Sequence, residues 1–227
     1  MTASEGALGG RRIVVSAGPT YEDIDPVRFL GNRSSGRMGF AIAAAAAQRG
    51  ATVVLVAGPV SLPTPPGVAR VDVRSAREMH EAVLAALPAD LYVGAAAVAD
   101  WTPAAASAHK LKKAPGVDRL VLEFERTADV LAAVASHPAR PRLVIGFAAE
   151  TTGDLAAHAQ AKLQGKGVDA IAANRVGVAG SGFEADDNAL EVWWHGGSRA
   201  LGPAPKTRLA GQLLDLLPTI DGARKPA

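Results

Sequence analysis

Three stretches decide the fold class: Ile13-Val-Val-Ser16, Gly36-Arg-Met-Gly-Phe-Ala-Ile-Ala-Ala-Ala-Ala-Ala-Gln-Arg49 and Thr52-Val-Val-Leu-Val56. A short apolar run, an Ala-rich helical run and a second apolar run form a β-α-β unit. The two strands lack polar alternation, which is the pattern of a parallel sheet covered on both faces. The same rhythm continues along the chain. Ser75 opens a helix over residues 75–87 as its cap, 91–94 reads as a strand, 127–135 as a helix, 143–146 as a strand, 155–165 as a helix and 169–172 as a further strand. The pattern predicts an α/β fold with a doubly wound, mostly parallel, Rossmann-like sheet.

Two regions interrupt that rhythm. Residues 101–126 hold a Pro/Ala/Lys segment followed by an alternating strand at 120–124, too long for an ordinary strand-to-helix connection. The part at about 101–119 reads as a mobile cover, or flap. Residues 176–205 are Gly-rich at 177–182, carry a strand pattern at 189–194 and turn at Gly196 and Gly197, which predicts a hairpin forming an added β arm. A last helix follows at 206–217. The organisation expected is a flexible leader at 1–12, a single domain at 13–220 and a frayed tail at 221–227.

Composition narrows the function. A chain of 227 residues is long enough for a full enzyme core, and 48% hydrophobic with 20% charged residues excludes a disordered tail or a fibrous polymer. The 24 Lys and Arg are dispersed among 22 Asp and Glu, which argues against nucleic acid as the main partner. The absence of cysteine excludes a disulfide scaffold, a Cys-ligated metal and a thiol nucleophile, so any thiol chemistry must arrive with a substrate. The longest apolar stretches, 40–47 and 91–99, fall short of the ~20 residues that cross a bilayer. With no signal pattern at the start, the expectation is a cytoplasmic protein without a membrane partner.

In such a sheet, ligands bind beyond the carboxyl ends of the strands. The stretch from Ser16 enters its helix through Ser34, Ser35, Gly36 and Gly39, where free N–H groups, hydroxyls and bare glycines allow a phosphate to approach; an ordinary capped helix with glycines for packing is equally consistent. No Walker lysine follows the glycines. No ribose-binding acid ends the second strand, since Val56 leads into Ala57-Gly58-Pro59, and this opposes NAD as a cofactor. The stretch Gly94-Ala-Ala-Ala-Val-Ala-Asp100-Trp101 places one carboxylate after small residues, suited either to a metal bridging phosphates or to a plain turn. Lys110-Leu-Lys-Lys113 reads as a solvated face unless it meets a polyphosphate. The five histidines are scattered outside any metal-ligand pattern.

Taken in order, Ala17-Gly-Pro-Thr20, Asp25-Pro-Val-Arg28, Asn32-Arg-Ser-Ser-Gly-Arg-Met-Gly39, Ala95-Ala-Ala-Val-Ala-Asp100, Lys110-Leu-Lys-Lys113, Gly146-Phe-Ala-Ala-Glu-Thr151, Ala173-Asn174 and Gly182-Phe-Glu-Ala-Asp-Asp-Asn188 resemble the successive signatures of the phosphopantothenoylcysteine synthetases, the phosphopantothenate-cysteine ligases, of the bacterial CTP-dependent type. In many bacteria that activity is the C-terminal part of a bifunctional protein whose other half is a flavin-dependent decarboxylase. That half has no room in this sequence, so no flavin is expected, and the chain reads as free-standing or as an excised synthetase domain.

The resemblance implies a ligase of coenzyme A biosynthesis that joins 4′-phosphopantothenate to L-cysteine through an acyl-cytidylate, with CTP as co-substrate, Mg2+ as divalent cation and a homodimeric assembly. It implies that Asp100 holds the metal and that Lys110 contacts the triphosphate from the flap. Ser34, Ser35, Gly36 and Gly39 would receive phosphate, and Gly94, Ala95 and Ala96 would line the nucleotide. Ala128, Asp129, Val130 and Leu131 would lie beside the phosphates, Phe147 on the base, and Lys162 and Lys166 would reach the nucleotide. Arg28, Asn32 and Ala96 would bind the acyl substrate, with Asn32 orienting its carbonyl as the amine attacks. The family often carries proline where this chain has Ala128, which loosens the expected helix start there. Two other readings stay open: a nicotinamide-dependent oxidoreductase, opposed by the missing ribose acid and the lack of a Tyr-x-x-x-Lys pair, and a non-catalytic nucleotide-sensing module.

Overall fold

The computed structural model describes residues 6–113, 115–116, 118–150, 154–175 and 187–224. In chain order, β1 (Arg12–Ala17) is followed by a hairpin of β2 (Tyr21–Asp23) and β3 (Phe29–Gly31), then α1 (Arg37–Gln48), β4 (Thr52–Ala57), β5 (Val68–Asp72), α2 (Ala76–Ala85) and β6 (Leu91–Gly94). The second half holds β7 (Trp101–Pro103), β8 (Phe124–Arg126), α3 (Val130–Ala135), β9 (Leu143–Glu150), α4 (Leu155–Lys166), β10 (Ala170–Arg175), β11 (Asp187–Trp194), β12 (Gly197–Pro205), α5 (Lys206–Asp215) and α6 (Leu217–Gly222).

One eight-stranded sheet in the order β12-β11-β10-β9-β6-β1-β4-β5 organises the chain. The six strands from β10 to β5 pair in parallel, and β11 and β12 extend one edge as an antiparallel hairpin. From β1 the chain first winds outward through β4 and β5, then returns to lay β6 on the opposite side of β1. The connection reverses direction there, so the carboxyl ends of β1 and β6 frame the crevice where doubly wound sheets take ligands.

Each strand of the centre feeds both faces. Ile13, Val15 and Ala17 enter a core with Phe40, Ile42, Ala46, Leu209, Leu213 and Ile220, so α1, α5 and α6 cover that face. Val14 and Tyr92 point the other way, against Met79, Val83, Val130, Val134, Ala159 and Leu163 of α2, α3 and α4. Burying a side chain of this class contributes roughly 1.5–3 kcal/mol, and the absence of polar alternation in β1 and β4 is what two apolar faces demand.

The predicted elements form, with informative differences. Ser75 caps α2 in a full capping box with Glu78. The helix expected from Thr127 starts at Val130, because the Thr127 hydroxyl donates to Ala99 O (2.6 Å) and Asp129 serves as the cap, accepting from Ala132 N (2.9 Å). Of the strand expected at 120–124 only Phe124 is extended; its pairing with β7 continues to Arg126 instead. The added β arm joins the main sheet rather than projecting from it. The leader is not loose from Gly6 onward: Leu8 N donates to Arg49 O (3.0 Å), Leu8 packs on the core and Arg12 belongs to β1. The tail expected from Asp221 is still helical there, with Asp221 held by Arg142 (2.8 Å). The Gly-rich stretch at 177–182, Thr151 and residues 182–186 of the last motif lie outside the described residues.

Candidate functional site

At the switch point two strand-end loops are laced together. Ala95 N donates to Ser16 O (3.0 Å), Ala97 N to Gly18 O (2.8 Å), Thr20 N to Ala97 O (3.3 Å) and Ala99 N to the buried Thr20 hydroxyl (2.9 Å). These bonds fix the Ala-rich stretch as a backbone wall without bulky side chains. Asn32 is tied to the same wall, its Nδ2 donating to Ala97 O (3.0 Å) and Val98 O (3.3 Å).

Two cavities of about 480 Å³ each open along this wall. The first lies toward α3 and is lined by Ser16, Tyr92, Gly94, Ala96, Asp100, Ala128, Asp129, Val130, Leu131, Phe147 and Lys166, with Trp101 and Arg126 at its mouth. The second lies toward α1 and is lined by Asn32, Ser34, Ser35, Gly36, Gly39, Ala95, Ala96, Asp100, Phe147 and Lys162. Ala96, Val98, Asp100 and Phe147 border both, so the chambers meet at one carboxylate and one aromatic ring. Lys162 and Lys166, one helical turn apart on α4, serve different chambers.

The helix starts around the second chamber, like that of the short α6, carry no side-chain cap. Ser75, Asp129 and Asp154 cap α2, α3 and α4 with side-chain oxygens, whereas α1 and α5 have no side-chain cap. At α1 the cap position is Gly36, in the left-handed region at φ 75°, which an L side chain rarely adopts. Gly39 presses the first turn onto β1, where a Cβ would collide with the Cβ of Ala17. Uncapped N–H groups carry partial positive charge and attract anions. The second chamber adds Arg37 and Lys206, together with Lys162 in its pair with Glu150, against one lining carboxylate, Asp100, a setting for a polyanion.

Local electrostatics refine this picture. Burial pushes the Tyr92 hydroxyl up to about 12, and it shares a hydrogen bond with Ser16 (2.9 Å) on the floor of the first chamber. Burial acts to raise Asp129, but the Lys166 ammonium and the Ala132 N–H outweigh it and hold this carboxylate below its ordinary range. Glu150 is likewise lowered, chiefly by the Lys162 ammonium at 2.8 Å. Both α4 lysines therefore reach the cleft paired with an acid.

Arg28 and Lys110 line neither chamber. The buried Asp25 carboxylate accepts from the Arg28 side chain (Nε, 3.0 Å), from Val27 N (2.8 Å) and from Leu111 N (3.1 Å), while Arg28 Nη2 donates to Leu111 O (2.7 Å). The Arg28 guanidinium is the main cause of an Asp25 pKa far below the ordinary carboxylate range. Leu111 is thus clamped by both its N–H and its carbonyl, and Lys110 sits exposed beside the clamp. Arg28 is engaged here as an anchor of the Lys-x-Lys-Lys segment.

Sequence reasoning did not assign Tyr92, Arg37, Arg126 or Lys206. A buried lysine or a strand tyrosine beneath a chamber leaves no periodic signal; Arg37 lay within a quoted motif without a role. Among the described residues no three His, Asp or Glu side chains gather to hold a metal ion. The single carboxylate at the junction nonetheless fits magnesium, which takes most of its ligands from water and phosphate oxygens. No helix among the described residues is long and apolar enough to cross a membrane.

Comparison with known proteins agrees with this architecture. Residues 8–220 match the model of the DNA/pantothenate metabolism flavoprotein C-terminal domain. The chain is 46% identical over 211 residues to the coenzyme A biosynthesis bifunctional protein CoaBC of Vibrio cholerae, covering 92% of this chain and 53% of that protein. It is 48% identical over 204 residues to the protein of the same name from Escherichia coli strain K12, covering 89% and 50%. The chain thus spans about half the length of these relatives. The crystal structure of the C-terminal domain of a CoaBC bifunctional protein superposes with a TM-score of 0.80 at 37% identity, over 96% of this chain and all of that one. The switch-point cleft with its two uncapped helix starts therefore sits on a known scaffold, and this chain belongs to the DNA/pantothenate metabolism flavoprotein C-terminal domain family.

Proposed function

We propose that this chain is a phosphopantothenate-cysteine ligase of coenzyme A biosynthesis, using CTP with magnesium and acting as a cytoplasmic homodimer. The observation that carries the reading is the pair of chambers meeting at Asp100 and Phe147, which together offer an aromatic ring for a base and, for phosphates, two helix starts with Lys162, Lys166 and Lys206. The names of relatives that share nearly half of its residues support the pathway. The apolar side chains exposed on the β2–β3 hairpin and on β7 and β8, Phe29, Leu30, Trp101 and Phe124, support a self-contact.

In this reading the base packs on Phe147, and the triphosphate lies beside residues 128–131 at the start of α3 and passes Asp100 to the start of α1. Asp100 would hold the magnesium ion, which when bound neutralises charge on the phosphates. The acyl carboxylate attacks the α-phosphate, an oxygen–phosphorus bond forms, and the bond to pyrophosphate breaks. The N–H groups near Gly36 and the Lys162 ammonium stabilise the charge that accumulates. The amine of cysteine then attacks the acyl carbon, and the carbon–oxygen bond to CMP breaks with its electron pair leaving on the phosphate. The clamped Lys110 segment closes from the side and excludes water from the anhydride.

The test is pyrophosphate release from CTP and 4′-phosphopantothenate, with and without L-cysteine, and with ATP in place of CTP. Release that requires the acyl substrate, amide formation only with cysteine, and a kcat/KM for CTP well above that for ATP are expected. A site shaped for one set of exocyclic groups leaves polar atoms unpaired with the other. No pyrophosphate under any combination would overturn the ligase reading, and equal values for the two nucleotides would overturn CTP preference.

A further inference from the structure

On β11 the period-2 alternation turns residues 188, 190 and 192 inward, and two of these, Leu190 and Val192, are ordinary core residues. The third is Asn188. It is 6% exposed, and among the described residues its Oδ1 is a buried acceptor with no donor. Buried amide oxygens are almost always satisfied, so a donor is expected from what enters the chamber that Asn188 lines.

Beside it stands Lys206, the first residue of α5 and also 6% exposed. A cation at a helix start opposes the helix dipole, and Pro205 offers no side-chain cap, so the ammonium and the end of α5 both favour an anion at one place. Lys206 has a protein interaction of its own, and an ammonium carries three donors, which leaves capacity for a ligand. Asn174, at the end of β10 and 8% exposed, completes the group. The two asparagines also wall a smaller recess of about 190 Å³, lined by Leu155, Leu190 and Leu201 and by one charged side chain, Glu191.

A cation, a buried amide acceptor and a small, largely aliphatic recess are complementary to a zwitterionic α-amino acid with a short side chain. We propose that Lys206, Asn188 and Asn174 form the amino-acid subsite of the second half-reaction, an assignment that rests on the ligase reading. The α-carboxylate of L-cysteine pairs with Lys206, an N–H of the attacking amine donates to Asn188 Oδ1, and the CH₂SH group enters the recess beside Asn174. Deprotonated, the nitrogen bonds to the acyl carbon while CMP leaves with the electron pair, and the surplus proton passes to water. Lys206 and Asn188 act here by orienting the nucleophile, and the carboxylate contact makes Lys206 the residue that separates an amino acid from a simple amine.

The test compares L-cysteine with cysteamine, which has the same amine and thiol without the carboxylate. In Lys206→Gln, kcat/KM for L-cysteine falls about 10²-fold, mostly through KM, the scale on which an unpaired buried polar contact is felt. For cysteamine the same substitution changes kcat/KM less than about threefold, since a contact absent from the substrate is not lost. Equal losses for both amines, or an equal loss of pyrophosphate release without any amine, would overturn the assignment and give Lys206 to the nucleotide. Asn188→Ala keeps the proposal falsifiable if the lysine variant does not fold: KM rises about tenfold for both amines, with their ratio preserved, and unchanged KM values refute the subsite. Absence of pyrophosphate release by the unmodified chain is a separate outcome, and it removes the ligase reading on which the assignment stands.

Discussion

Gly39→Ala tests whether the close packing of α1 on β1 sets the phosphate-binding end of the cleft. An ideal Cβ at Gly39 falls 3.2 Å from Ala17 Cα and 3.3 Å from Ser16 O, and closer still to the Ala17 side chain. Carbon atoms pack at about 3.5–4.0 Å, so the first turn of α1 must retreat by roughly 1 Å. Overpacking of this kind costs about 1–3 kcal/mol. For a domain of this size each kcal/mol moves Tm by about 2–4 °C, which gives a fall of roughly 2–12 °C in a thermal melt. A displacement of about 1 Å in a positioning element costs up to ~10²-fold in rate, so pyrophosphate release should fall further than stability alone explains. Gly165→Ala is the matched control. It lies within α4, a Cβ there meets nothing within 4 Å, and the same chemical change should stabilise by about 0.5–1 kcal/mol. A Gly39→Ala protein within about 0.5 kcal/mol of the parent, with unchanged CTP affinity by calorimetry, would refute the packing account.

Three further outcomes follow from the cleft. Lys110→Gln should slow activation by about 10²-fold, the loss of one transition-state donor; since Lys110 lies outside both chambers, a change of only a few-fold would show that the segment does not close over the triphosphate. In Asn32→Asp a carboxylate would face the Ala97 and Val98 carbonyls to which the amide now donates. The tie is lost and like charge is added, so mass spectrometry should detect an accumulated acyl-cytidylate with little conversion on adding cysteine. Full conversion would count against Asn32. The third outcome concerns pH. Asp25 has a folded pKa below its unfolded value, so its stabilisation is present above the ordinary carboxylate range, about pH 4, and is lost as pH falls. Asp25→Asn should lower Tm at pH 7 and flatten its decline between pH 5 and 3. Parallel melting curves for the two proteins would exclude the clamp as a source of acid sensitivity.

The apolar periodicity of β1, α1 and β4 made the sheet legible in the sequence, because a strand buried on both faces leaves no alternation to confuse with another arrangement. Ser75 with Glu78 made the start of α2 legible for a local reason, the capping box. The short hairpin of β2 and β3 and the edge strand β5 escaped notice, since three-residue strands and half-exposed edges carry too few apolar positions. The helix start near Ala128 was misplaced because Thr127 and Asp129 are both good caps, and only the tertiary partner of the Thr127 hydroxyl decides between them. Within the cleft, residues held on quoted motifs were brought together as groups. Lys206 stood outside every quoted motif and Asn188 ended one without a role, and their burial depends on β11 and α5 packing against the parallel strands. Arg28 shows the reverse: a motif residue whose charge is spent on Asp25 and Leu111.

The uneven capping of the helices has a consequence for anyone seeking a sturdier form of this chain. An oxygen-bearing side chain placed at a bare helix start ordinarily raises stability by about 1 kcal/mol, and α5 would be among the first places a stabilisation survey selects, whereas the left-handed Gly36 bars such a cap at α1. At α5 the new oxygen would compete with incoming anions for the same N–H groups, and a higher melting temperature would arrive with weaker binding. The thermal weakness and the affinity are one property seen from two sides, and engineering for robustness belongs elsewhere, as at Gly165.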